Sequence, residues 1–154
     1  MDPILVPPTG SRTGLLNVAG EHILVKLAGE DTEGRNAMLH VTVPPMSGPP
    51  LHRHNREDEW FYILNGELTV ELDGERYVLH SHDSVFLPRG SAHTFQNFTG
   101  DNVAMLVLAT PAGFDRFCIE VHAVCDGVAG PPDFARIGQI MNEYGMEILG
   151  PPLA

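Results

Sequence analysis

A chain of 154 residues, 43% of them hydrophobic and 19% charged, has the size and make-up of one globular domain rather than of a disordered segment. Its formal charge of −11 repels nucleic-acid phosphates and anionic lipid heads, and no apolar run reaches the roughly 18 residues that a membrane span requires. Nucleic acid and membrane are therefore not expected partners. The start, Asp2-Pro3 and then Ile4 to Val6, lacks the basic region and apolar length of a signal peptide, so a cytoplasmic location is expected.

The 16 Gly and 13 Pro favour short elements joined by turns. Residues 1–20 read as an irregular extension, punctuated by Pro3, Pro7, Pro8, Gly10, Gly14 and Gly20. Strands are predicted over Ile23 to Ala28, Ala37 to Val43, Trp60 to Leu64, Glu67 to Leu72, Glu75 to Leu79, Val85 to Leu87, His93 to Phe98, Val103 to Ala109 and Phe117 to Val124. Asp73-Gly74 is a strong hairpin signal, because that dipeptide accepts positive φ. Cys118 falls in the last predicted strand as a buried small hydrophobe, and with only Cys125 beside it there is no disulfide framework. One helix is predicted over about 132–145. Pro132 suits its first turn, Phe134, Ile137, Ile140, Met141 and Tyr144 recur at helical spacing, and Gly145 suits the residue after its end. Its apolar stripe is expected on the outside of the β structure or against a partner subunit. The expected fold class is all-β, a barrel or sandwich with a short C-terminal helix, in a single domain over residues 1–154.

Two segments carry the chemistry. In the first, His52 and His54 are two residues apart, so on an extended chain both imidazoles project to one face and can close on one ion. The four residues between His54 and Glu59 let the chain turn and return a carboxylate to the same point. Asp58 is one residue off in parity and should point away. In the second segment, Pro88 and Gly90 make a tight turn and His93 opens the next strand as a third imidazole. Three imidazoles and a carboxylate suit one divalent first-row metal: iron, manganese, cobalt, nickel, copper or zinc. Four protein ligands on an octahedral ion leave two positions open for water, oxygen or substrate.

These segments resemble the paired motifs of the cupin superfamily. The first has a glycine before His-x-His, then Glu, then Gly; the second is Pro-x-Gly-x-x-His followed by Asn. Here they are His52, His54, Glu59 and Gly66, then Pro88, Gly90, His93 and Asn97. The resemblance covers about 50 contiguous residues of this chain. It implies a jelly-roll-like double-stranded β-helix, with the conserved barrel over about 36–110 and a metal held by His52, His54, Glu59 and His93. Two positions depart from the pattern. Gly48 stands closer to the first His, and His82 stands where the second motif usually has Gly.

By strand parity Phe61 and Ile63 share the face of Glu59, while Phe95 and Asn97 share that of His93. Phe61 and Phe95 are therefore candidates to line a substrate pocket or simply to fill the barrel. His40, on the strand before the first motif, is a further pocket candidate as a proton relay. His22, His80, His82 and His122 read as surface or satisfied polar residues. Arginine is scarce on the inward parity: Arg53 faces out, and Arg56 and Arg89 lie in loops. That disfavours a small dicarboxylate or sugar phosphate, which needs a bidentate clamp.

The leading expectation for function is a metal-dependent, dioxygenase-type oxidoreductase acting with O₂ on a small apolar or phenolic substrate. Glu59 would serve as general base. The small cupins similar to quercetin dioxygenase share this organisation. A lyase, isomerase or decarboxylase using the metal as a Lewis acid is one alternative; a non-catalytic metal- and ligand-binding or sensor module is another. A homodimer is expected, because Trp60, Tyr62 and Leu64 share the face opposite the ligands and would otherwise leave an apolar patch uncovered.

Overall fold

A computed structural model describes residues 1–154. Strands β1 (Leu15–Val18), β2 (Glu21–Leu27) and β3 (Ala37–Val43) open the chain, with one 3-10 turn at Gly29–Thr32. Then come β4 (His52–His54), β5 (Asp58–Asn65), β6 (Glu67–Leu72), β7 (Glu75–His80), β8 (Ser84–Leu87), β9 (His93–Gln96) and β10 (Val103–Thr110). Helices α1 (Phe114–Cys125) and α2 (Phe134–Glu143) and a last short strand, β11 (Met146–Ile148), complete it. The strands form two sheets, one ordered β1-β2-β3-β10-β5-β8 and the other β11-β4-β9-β6-β7. All pairings are antiparallel.

The core follows from alternation. Along β3 and β10 every second side chain is buried, and Phe61 and Ile63 of β5 continue the inward set. Register aligns these side chains in rows across the large sheet. Val25, Leu39, Val107 and Phe61 form one row, and Ile23, Val41, Met105 and Ile63 the next. Each such fully buried side chain stabilises the fold by about 1.5–3 kcal/mol relative to exposure. Asp73 and Gly74, both at positive φ, turn β6 into β7 as the dipeptide predicts.

The structure corrects four expectations. Phe117 to Val124 is not a strand but most of α1. Its buried residues, Phe117, Cys118, Val121 and Cys125, are spaced for one helix face, and that period outweighs the β-branched residues between them. Residues 1–20 are not wholly irregular, because Leu15–Val18 pairs with β2. Pro132, expected in the first turn, lies outside the helix: Asp133 is the cap, its side chain accepting from the Arg136 amide at 3.0 Å, so the helix begins at Phe134. Finally, α2 does not rest on the barrel's outer face. Its Phe134, Ile137 and Met141 line the interior cavity together with Phe114, Phe117 and Val121 of α1, so the two helices cover the mouth between the sheets.

Specific bonds hold this cover in place. Asp115 accepts from the Gly113 amide at 3.1 Å and from the Gly29 amide at 2.8 Å, pinning the start of α1 to the 3-10 turn. The Asn17 amide donates to His122 Nδ1 at 3.0 Å, which ties β1 to the last turn of α1. Tyr144 Oη donates to Glu120 Oε1 at 2.5 Å and joins the end of α2 to α1.

Candidate metal centre

Pairing places the first two imidazoles. His52 on β4 lies directly opposite His93 on β9, with ring centroids 4.5 Å apart. His54 is two residues along β4 and on the same buried face. The Gly90 amide donates to the His54 carbonyl at 2.7 Å, so the Pro88–Gly90 turn is fastened to β4 and delivers His93 beside it. Glu59 reaches the same point from the other sheet, flanked in register by Leu87 and Ala109. All four side chains are buried.

Hydrogen bonds settle which ring nitrogens face inward. His52 Nδ1 lies 2.7 Å from the Pro50 carbonyl, His54 Nδ1 2.6 Å from Glu57 Oε1, and His93 Nδ1 3.2 Å from the Ser91 carbonyl. Each of these partners only accepts, so each Nδ1 carries the proton and donates. In the neutral rings the three Nε2 lone pairs are then bare, and they converge. His52 and His54 Nε2 are 3.1 Å apart, and Glu59 Oε2 is 3.3 Å from both His54 Nε2 and His93 Nε2. Facing lone pairs at such distances repel unless a cation or a proton sits between them. Glu59 Oε2 and His93 Nε2 have no hydrogen-bond partner, although both are fully enclosed.

The charges express the same frustration. Burial opposes ionisation of Glu59, but the surrounding imidazoles outweigh it and pull the carboxyl down to about 2. Burial also works against a proton on His54, yet the charges of Glu59 and Glu57 outweigh it and raise that pKa. For His52, burial and then the charges of His93 and His54 push it down to about 3. Donor separations of 3.1–3.3 Å suit atoms about 2.1 Å from a common ion. The three histidines can hold a metal ion, and the tautomers, separations and orphaned atoms all fit one.

The site sits in the wall of a cavity of about 290 Å³. Phe61 and Phe95 line it, edge to face with centroids 5.8 Å apart, and Phe114 packs edge-on against His54 at 5.4 Å. His40 does not line it. Leu39 and Val41 take the inward positions of β3, and His40 stands half-buried on the outer face between Leu24 and Leu106. Asp58 turns outward as parity requires, its carboxylate accepting from the Arg89 amide at 2.9 Å and from the Arg89 guanidinium. Asn97 is structural: its amide donates to the Val43 and Asp101 carbonyls at 2.9 and 2.8 Å, and its Oδ1 accepts from Thr99.

Two residues that sequence reasoning passed over belong to this region. Glu57 is buried and orients His54; the only signal was an acid three residues beyond a ligand candidate. Glu21, at the start of β2, lines the cavity. Both departures from the family pattern also have a physical form. A Cβ on Gly48 would lie 2.0 Å from the Phe95 carbonyl oxygen, so the loop needs a glycine there for close approach. His82 takes φ 75°, the left-handed conformation natural to the Gly it replaces.

Residues 39–109 match the model of the cupin domain family. Among curated relatives, polyketide synthase CurC of Streptomyces cyaneus is 31% identical over 86 residues, which is 53% of this chain and 55% of that protein. Quercetin 2,3-dioxygenase of Bacillus subtilis is 43% identical over 47 residues, 30% of this chain and 14% of that protein. The chain thus spans about half the length of the first and a small part of the second. Among solved structures, that of KdgF from Halomonas sp. superposes with a TM-score of 0.59 at 21% identity, over 66% of this chain and 89% of that one, and shares the fold. Residues 39–109 are therefore a cupin domain, and the barrel they build with the flanking strands is a cupin barrel.

Proposed function

We propose that this cupin holds one divalent first-row transition metal through His52, His54, His93 and Glu59 and acts as a dioxygenase-type oxidoreductase on a small apolar or phenolic substrate. One observation carries the reading: three imidazole Nε2 atoms and an unpartnered carboxylate oxygen converge in the wall of an apolar, aromatic cavity. When bound there, such an ion supplies Lewis-acid or oxygen chemistry at positions the protein leaves open.

The chain's own residues set the conditions for that chemistry. Phe61, Phe95 and Phe117 exclude water and offer ring faces and edges to a flat apolar ligand. Glu59, which has no protein hydrogen-bond donor at Oε2, is the carboxylate that would accept a proton from a substrate hydroxyl on loosening its hold on the ion. No lysine or arginine lines the cavity, so a dicarboxylate or sugar phosphate would find no cationic clamp. Similarity to proteins named quercetin 2,3-dioxygenase and polyketide synthase CurC supports the same class of ligand.

Oxygen uptake by the metal-loaded protein, measured in air against a panel of phenols and diketones, tests the reading. Uptake coupled to substrate loss is expected. Product formation without oxygen uptake would replace it with a lyase, isomerase or decarboxylase, and binding without turnover with a ligand-holding or sensor module.

We also propose that a second copy of this chain covers the outer face of β5 and β8. Trp60 and Phe86 pack there at a tilt of 32° with centroids 4.5 Å apart, and Trp60, Tyr62 and Phe86 remain 39%, 39% and 47% exposed. Contiguous exposed aromatics of this kind favour association.

A further inference from the structure

The cavity has a second polar point. Apart from the four side chains of the metal cluster, Glu21 is the one charged or titratable residue in its lining. It begins β2 with the parity of Ile23 and Val25, both buried inward. Its half-buried carboxyl makes no ion pair and no hydrogen bond within the protein, whereas the buried acids Glu57 and Asp115 are bonded, the first to His54 and the second to the Gly29 and Gly113 amides. Val18, Ala19 and Ile23 of the same hairpin and Phe117 and Val121 of α1 line the cavity with it.

Helix α1 sets the span between the two polar points. Phe114 packs against His54 at one end of the helix, and Val121 closes the cavity a further two turns along. The Asn17–His122 bond holds the β1–β2 hairpin, and hence Glu21, against that far end. Seven residues of helix separate these ends by about 10 Å. The interval is walled by Phe61, Phe95, Phe117 and Met105.

We propose that Glu21 is a specificity-determining residue whose carboxyl hydrogen-bonds an oxygen function at the far end of the ligand. The ligand class is a flat apolar molecule with oxygen functions at both ends, one at the metal cluster and one at Glu21. This deepens the phenolic-substrate reading and rests on it. Glu21 is half-buried in the apolar cavity wall, and desolvation there raises its carboxyl to about 8, which favours the neutral donor form. A neutral carboxyl costs less to desolvate than a carboxylate and presents one O–H donor.

The test uses the zinc-loaded protein under argon, where neither metal nor solution can oxidise the probe. The probes are flavonol, with an unsubstituted phenyl ring, and its derivative carrying a para hydroxyl on that ring. Wild type should bind the hydroxylated probe more tightly by roughly five- to tenfold, the value of one enclosed hydrogen bond. Glu21→Leu should abolish that preference, and Glu21→Gln, whose amide still donates, should keep most of it. In infrared difference spectra against Glu21→Gln, the protonated-carboxyl carbonyl band should move to lower frequency when the hydroxylated probe binds. Equal affinities in wild type, or a preference that survives in Glu21→Leu, would overturn the assignment and leave the phenolic reading intact. Binding of neither probe would sink the ligand class, and this inference with it.

Discussion

His54 Nδ1 donates a 2.6 Å hydrogen bond to Glu57 Oε1, and both residues are buried. The bond fixes the ring's tautomer and its rotation, so the Nε2 lone pair can aim only at His52 and Glu59. A carboxylate behind a ligating histidine also raises the ring's basicity. Glu57→Ala should therefore weaken binding of a divalent ion by about 10- to 100-fold while the fold survives. Competition with a fluorescent chelator measures this, and unchanged affinity would remove Glu57 from the site.

Glu21 imposes a pH dependence on stability. In the unfolded chain it releases its proton near 4.5, and in the folded protein near 8, because burial disfavours the charged form. Between those values the folded state holds one proton more than the unfolded state, so stability contributed by this residue falls as pH rises. Cys118, whose thiol is raised by burial and then by the charge of Glu21, well above 9, does not titrate in that window. Tm followed from pH 5 to pH 8 should fall more steeply in wild type than in Glu21→Gln. Parallel profiles would show that Glu21 ionises freely in the native protein.

Gly48 marks where two loops touch. Any side chain there meets the Phe95 carbonyl oxygen at 2.0 Å and Gln96 Oε1 at 2.5 Å. Backbone must move, and β9, which carries His93, would move with it. Gly48→Ala should cost about 2–3 kcal/mol in urea unfolding and lower metal affinity at the same time. A neutral effect on both would mean the loop relaxes without disturbing β9.

The exposed aromatic face gives a prediction about mass. The chain is 16.8 kDa, and light scattering coupled to size exclusion should return about twice that. Replacing Trp60 and Phe86 together by Ser should return the monomer mass. A wild-type species of monomer mass would reject the dimer.

Much of this molecule was legible because its signals are periodic. Alternation in Ala37–Val43 and Val103–Thr110 announces strands with one buried face, and the two-residue spacing of His52 and His54 places both rings on it. What escaped depends on distant partners. Phe117 to Val124 is as β-branched as a strand and becomes helical only because one face of it closes a cavity. His40 could be placed near the site by its strand, but its face was fixed by which neighbours the sheet buries. Glu57 and Glu21 carry no local motif. One matters because a ring nitrogen lies 2.6 Å away, the other because helices from the far end of the chain close the cavity whose wall it shares.

Metal loading tests the four-ligand site most directly. Protein stripped with chelator, incubated with zinc, nickel or iron(II), and freed of excess ion should retain close to one equivalent by elemental analysis. His52→Ala and His93→Ala should retain almost none while keeping wild-type circular dichroism. A well-folded wild type that retains no ion under any of these conditions, or ligand variants that retain as much as wild type, would contradict it.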